Sequence, residues 1–303
     1  MTTLRQLEYL VRVVDEGSFT RAAELLHVSQ PALSHQVRAL ERAVGGALLE
    51  RLPRTVRLTP MGRALLPHAR AALADAERAR CAARRAAGLE RGEVQIATVY
   101  SVTLGVLPPV LRAWHQAHEG VRVRLFEHRH AEELAEAMLA GQADLAIGPP
   151  PPPAWHGPVR PLGEEEFVVV LPPDDPAVPA ATTQVELGRL AARDWVHYAP
   201  GHGLADVLDR AAADAGFRPR AAVRTEQTAT APILAAAGLG PALVPASIVP
   251  APFGGRVLRV DPPLRRPLAA YSRDEPDVLS AAFLGLLTRH ARLLPAHVRA
   301  LLP

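Results

Sequence analysis

Gln30, Pro31, Ser34, His35 and Arg38 lie within one short stretch of chain, and their types suit contact with base pairs. A Gln amide matches adenine, an Arg fork matches guanine or grips phosphate, and a Pro ring can lie on a thymine methyl. Ser29 stands just before them, a good helix N-cap. Arg51, Arg54 and Arg57 recur every third residue a little further on. Guanidinium groups so placed suit backbone or minor-groove contact, which sets position and salt dependence more than sequence choice.

These side chains need a frame. Leu4, Leu7, Leu10, Val11 and Val14 share a helical face, predicting a helix over 4–16 that Gly17 ends. Ser18 caps a second short helix, 19–27, and His27-Val28 make a tight turn. Ser29 caps a third, whose Pro31 sits in the first turn, where no N–H is needed; Gly45-Gly46 stop it. Ala22 and Ala23 leave room for two helices to cross. Leu25, Leu26, Val28, Leu33, Val37 and Leu40 supply a common core, so the polar set, Ser34 included, is expected to face outward as a DNA-recognition helix does. Residues 47–58 read as a strand pair turning at Pro53-Arg54, and Thr59-Pro60 opens a long helix to about Ala87. On it Leu65, Ala69, Ala72, Ala76, Ala79, Ala83 and Ala86 are spaced 4-3-4-3-4-3, a heptad seam of small residues. Cys81 lies off this seam.

Charge is divided accordingly. Residues 1–88 carry 14 Arg against eight acids, and the rest of the chain 20 Arg against 23 acids. A basic first third ahead of a mildly acidic remainder suggests a nucleic-acid module joined to something else. All the basic residues are Arg, which with abundant Ala and Pro fits GC-rich coding. A lone cysteine, no long apolar run and a charged N-terminus predict a cytoplasmic protein with no membrane span.

From Glu93 short apolar strands alternate with helical stretches, the pattern of a parallel sheet with helices on its faces. Strands are expected at 93–99, 121–127, 144–147, 166–171, 194–198, 221–225, 241–244 and 268–271. Helices are expected from Thr103 and Glu132, and over 183–192, 203–215, 229–237 and 276–293. The prolines 149–153 read as a stiff surface connection, and Glu164-Glu165-Glu166 as a solvated turn.

The stretch LRQLEYLVRVVDEGSFTRAAELLHVSQPALSHQVRALE, followed by LLERLPRTVRLTPMG, strongly resembles the winged helix-turn-helix of LysR-type transcriptional regulators. LPPVLRAW at 107–114, GQADLAIG at 141–148 and AAGLGPALVP at 236–245 extend the resemblance over essentially the whole chain. It implies an α/β protein in three parts. These are a winged helix-turn-helix over 1–59, a linker and dimerisation helix over 60–88, and an effector domain over 92–303 similar to periplasmic binding proteins. The effector domain would divide into subdomain I (92–162 plus 267–303) and subdomain II (163–266), joined by two crossing strands. The resemblance also implies antiparallel pairing of the linker helix with its copy, assembly into tetramers and a dyad promoter site in double-stranded DNA; RNA polymerase is a further candidate partner. The family usually has Arg where His35 stands, Phe where Leu49 stands, and at Pro241 often a residue able to donate a backbone hydrogen bond.

Ligands of such sheets sit beyond the carboxyl ends of the strands, where helix N-termini favour anions. Two stretches fit: Tyr100-Ser101-Val102-Thr103, and Tyr198 followed by 199–203 with Gly201 and His202. Ser101 aligns with the effector-contacting Ser/Thr of the family. Glu127-His128, Gly148 and Thr225-Glu226 complete the expected cleft. A small anionic co-inducer is expected, with Glu127 and Glu226 leaving a cation or hydroxyl-rich ligand as the alternative. No cofactor or catalytic set is expected: there is no G-x-S-x-G, P-loop or G-x-G-x-x-G. His115, His118, His128 and His130 lack the cysteine or dense carboxylate company of a metal site. Residues 92–303 alone would also allow a transporter's solute-binding protein, and an enzyme with an accessory DNA-binding domain is a third reading. The recognition helix argues against the first, and the missing nucleophile–base pair against the second.

Overall fold

In a computed structural model, the described residues are all but Met1, Pro53, Arg54, 87–91, Ala177, Ala180 and Pro303. They divide into two compact units, Met1–Gly92 with the segment Glu136–Gln142, and the remainder.

The first unit opens with α1 (Leu4–Glu16), α2 (Phe19–Leu25) and α3 (Gln30–Val44). Thr3 and Gln6 form a reciprocal capping box on α1, and Gly17 closes it in the left-handed conformation. Ser18 and Ser29 cap α2 and α3 by accepting from Arg21 N and Ala32 N. Leu10, Val13, Ala22, Leu33, Val37 and Leu40 form a closed core where the three helices cross. β1 (Leu49–Leu52) and β2 (Thr55–Leu58) pair antiparallel, Leu49 opposite Leu58. Glu41 Oε1 accepts from the amides of Leu48 and Leu49 at 2.9 and 3.2 Å, so a carboxylate on α3 holds the base of the wing.

α4 (Pro60–Ala86) follows. Its seam does not serve one purpose throughout. Leu65, Ala69 and Ala72 pack into the core beside α1, and Asp15 pairs with Arg70. Ala79 is exposed, while the side chains of Cys81, Ala83 and Ala86 lie outside the described residues.

The second unit carries β3 (Glu93–Val99), α5 (Tyr100–Gly105), α6 (Leu107–Ala117), β4 (Arg122–His128), the first part of α7 (Ala131–Leu139) and β5 (Leu145–Gly148). β4, β3 and β5 run parallel in that order. The chain then enters β6 (Val159–Leu171), a 13-residue strand whose first half the apolar pattern misses because it is polar. After it come β7 (Gln184–Val185), β8 (Asp194–Tyr198), α8 (Gly203–Asp214), β9 (Arg220–Thr225), α9 (Thr230–Ala236), β10 (Ala242–Pro245) and β11 (Arg256–Val260). β12 (Arg265–Tyr271), α10 (Val278–His290) and α11 (Ala296–Leu301) end the chain.

β6 is shared. Its residues 159–166 pair with β12, which also pairs with β5, and its residues 167–171 lie between β10 and β11. β6 and β12 are thus the strands that join two lobes. Four expectations need correction. The helix expected over 183–192 is β7 and a single 3-10 turn, Leu187–Leu190. β11 was not anticipated. Glu164, Glu165 and Glu166 are not a solvated turn but lie on β6 opposite Pro267, Arg266 and Arg265. The chain end does not stay with the first lobe: Val298 and Leu302 on and after α11 are buried in the core of the second, with Trp195, Leu208 and Leu258. His297 Nε2 bonds the Val249 carbonyl there at 2.8 Å.

Candidate functional site

On α3, Gln30, Pro31, His35 and Arg38 are exposed, as is Ser29 ahead of them. Ser34 is not: at 6% exposure it sits between Leu33 and Val37 on the core face. Helical phase explains this, because 33, 34, 37 and 40 share one side of a 3.6-residue repeat, and a small hydroxyl residue fits against the core. The same phase adds Arg42, which sequence reasoning passed over, to a stripe of exposed Pro31, His35, Arg38 and Arg42. Arg38 has no hydrogen-bond or ionic partner among the described residues. On the wing Arg57 is exposed opposite Glu50; the side chain of Arg51 and all of Arg54 lie outside the described residues.

In the second unit the starts of α5 and α8 line one cavity of about 320 Å³, with Tyr100, Ser101, His202 and Gly203 on its walls. The first two prolines of the 149–153 run also line it. Tyr100 and His202 rings stack at 6.1 Å, and Tyr198 lies behind His202 at 4.8 Å. The lip is bridged between lobes. Gly203 N donates to the Arg129 carbonyl at 2.9 Å, Arg129 meets Glu226 at 3.8 Å, and His130 meets Asp206 at 3.8 Å. Gly203 must be small here, since a Cβ would stand 2.9 Å from that carbonyl oxygen.

Thr103, Glu127, His128, Gly148, Gly201 and Thr225 do not line the cavity. α5 begins at Tyr100 rather than Thr103, so Thr103 falls in its second half. Glu127 is exposed at the end of β4. His128 Nδ1 is engaged by Glu133 at 3.3 Å, and Thr225 Oγ1 makes a local turn with Gln227. The cations of the cavity come instead from Arg129, Arg210 and Arg266, none of them marked by a motif.

His202 does not supply positive charge. Its Nδ1 accepts from Leu204 N at 3.2 Å, which places the proton on Nε2, and Nε2 then donates to Thr228 Oγ1 at 3.1 Å. Burial first, then His130 and Arg129, hold this imidazole below its usual range, with Asp206 opposing. A depressed folded pKa means that the unfolded chain binds the extra proton. The stability contributed by neutral His202 is therefore full above the unfolded value of about 6.5 and is lost as pH falls through and below it. The melting temperature is expected to drop between about pH 7 and about pH 5, and His202→Asn, which keeps an acceptor for Leu204 N, should flatten that drop. Thermal melts of both proteins across this range check it.

Residues 4–63 match the family model described as the bacterial regulatory helix-turn-helix protein, lysR family, and residues 87–302 match the LysR substrate binding domain. Among curated proteins, the HTH-type transcriptional regulator IlvR of Caulobacter vibrioides is 33% identical over 94% of this chain and 97% of its own length. The RuBisCO operon transcriptional regulator of Allochromatium vinosum is 31% identical over 80% of this chain and 79% of its own. Among solved structures, CbnR complexed with its target DNA superposes with a TM-score of 0.66 at 28% identity, covering 95% of this chain and 99% of that one.

Proposed function

The chain belongs to the LysR family and is a DNA-binding transcriptional regulator, and we propose that it reads a dyad promoter site through the exposed stripe of α3 and answers to a small anionic metabolite held between the lobes of its second unit. The observation that carries the ligand class is the cavity lining. Three guanidinium groups, Arg129, Arg210 and Arg266, face the space against two wall acids, Asp206 and Glu132, and the imidazole of His202 adds no charge. A volume of about 320 Å³ suits a metabolite of modest size.

Dyad recognition needs two copies. The later half of α4, beyond the positions consumed by α1, is the surface proposed to pair with a second chain, and pairs of dimers would form the tetramer. We assign the protein to the cytoplasm, with RNA polymerase as a further partner and no catalytic step or cofactor of its own. Among the described residues no helix is long and apolar enough to cross a membrane.

Calorimetry on the full-length chain tests the ligand class. Carboxylates of three to eight carbons are titrated alongside amines of matching size. Saturable binding is expected only among the carboxylates. Tight binding of an amine, with none of any carboxylate, sinks the anionic reading and restores the cation alternative.

A further inference from the structure

Between the two lobes lies a buried chain of polar side chains that the anionic reading does not yet use. Glu165 on β6 is wholly buried. Its Oε2 accepts from both Nε and Nη2 of Arg266 on β12, Nε at 3.2 Å. Its Oε1 accepts from Ser247 Oγ at 3.1 Å. Arg266 Nη2 spends its second proton on Ser101 Oγ at 3.2 Å. Four residues from α5, β6, β12 and the 3-10 turn Ala246–Ile248 are thereby held together. The far end is rigid, because the backbone of α5 lies against Ser247: a Cβ on Gly105 would meet its Oγ at 2.5 Å.

Nε and Nη2 of Arg266 are committed, and the guanidinium lies over the Phe167 ring at 5.3 Å. Nη1 has no acceptor among the described residues, and neither has the hydroxyl proton of Ser101. Both residues line the cavity. The Tyr198 hydroxyl, buried and likewise without a partner, adjoins the same ion pair. A guanidinium fixed on one edge by a buried carboxylate, with its other end free beside a hydroxyl, offers the paired donors that a carboxylate accepts.

We propose that Arg266 is the specificity-determining residue of this cavity, its Nη1 and the Ser101 hydroxyl together receiving one carboxylate of the effector, with Glu165 as the positioning residue that aims the guanidinium. This rests on the anionic reading of the cavity and names the group that satisfies it. Arg129 and Arg210 at the lip draw the ligand in without choosing it. Lysine is a poor substitute for Arg266, because its donors all sit on one nitrogen and lack the planar fork that holds Glu165 and Ser101 on one edge while leaving Nη1 apart from them.

Trifluoroacetate, followed by 19F line broadening with full-length protein and displaced by acetate, is the probe. A saturable, acetate-competable signal is expected for the natural chain. It should fall about tenfold in Arg266→Lys and in the double variant Arg266→Gln/Glu165→Gln, and severalfold in Ser101→Ala. The double variant replaces the ion pair by an amide pair and leaves no buried charge alone, and thermal melts confirm that each variant is folded. In Arg129→Gln/Arg210→Gln the signal should also weaken, but by less than in either Arg266 variant, since exposed charges act through screened fields. A signal that survives both Arg266 variants but vanishes in the lip variant overturns the inference and leaves the anionic reading standing. No competable signal in the natural chain overturns the inference, and the calorimetric titration of the larger carboxylates decides the anionic reading separately.

Discussion

Arg38→Ala is expected to remove most specific DNA binding while leaving the first unit folded. Arg38 stands exposed in the middle of the α3 stripe, its guanidinium unpartnered among the described residues, so truncation costs no packing and strands no buried charge. A bidentate contact to a base edge is worth about 1–3 kcal/mol. A dimer on a dyad loses it twice, so affinity should fall by about a hundredfold or more if the two half-sites contribute equally. Fluorescence anisotropy on a dyad-containing promoter fragment, run over a salt series, reads the effect and its kind. If Arg38 reads a guanine, the loss is confined to fragments carrying that guanine. If it holds phosphate, the loss is uniform and the salt dependence shallower by about one ion per contact. Unchanged binding would remove Arg38 from the interface and shift attention to His35 and Arg42. A melting temperature equal to that of the natural chain is part of the expectation.

Gly62→Ala should act on the same activity through the fold. Thr59 N donates to the Leu48 carbonyl, Thr59 Oγ1 donates to Ala47 O at 2.7 Å, and Gly62 N donates back to Thr59 Oγ1 at 3.0 Å. This knot joins the base of the wing to the first turn of α4. A Cβ on Gly62 would stand 2.1 Å from the Leu48 carbonyl oxygen, closer than any real contact, and the obstruction is backbone on both sides. Relief requires α4 to lift from Leu48, whose side chain is fully buried in the core. Overpacking together with the loss of one or two of these hydrogen bonds costs about 3 kcal/mol. The melting transition of the first unit should fall by several degrees, with promoter binding reduced in parallel. The control is Gly285→Ala on α10, where an added Cβ meets open space and little change is expected.

The two predictions differ in how far the residues can be read from sequence. Arg38 is legible because α3 is one regular helix with strong caps, so periodicity alone assigns its outward face. At Ser34 helical phase outranks residue type: a polar side chain on the apolar face of α3 is buried all the same. Gly62 carries no sequence signal for its close approach to Leu48, since that depends on how the wing returns to α4.

The candidate cavity divides in the same way. Ser101 and His202 were reachable because each opens a helix after an apolar strand, a local pattern. The uncharged state of His202 was not legible, since it depends on Leu204, Thr228 and burial, none visible as a motif. Arg266 carries no motif, and Glu165 reads from sequence as part of a solvated turn. Three consecutive acids look solvated until β12, a hundred residues later, brings arginines opposite them in an antiparallel register.

The feature the chain states most firmly in its own residues remains the recognition helix. Its caps at Ser29 and Gly45, its 3.6-residue apolar repeat and its exposed Gln30, His35 and Arg38 are all set by neighbours a few positions away. Local hydrogen bonds and short-range periodicity suffice to specify such an element. Only the tertiary structure could decide that half the α4 seam is consumed by α1, that α11 closes the second lobe, and that a buried Glu165 aims Arg266 into the cavity. Those outcomes depend on which distant segments exclude water together, and that information is not carried by any one stretch of chain.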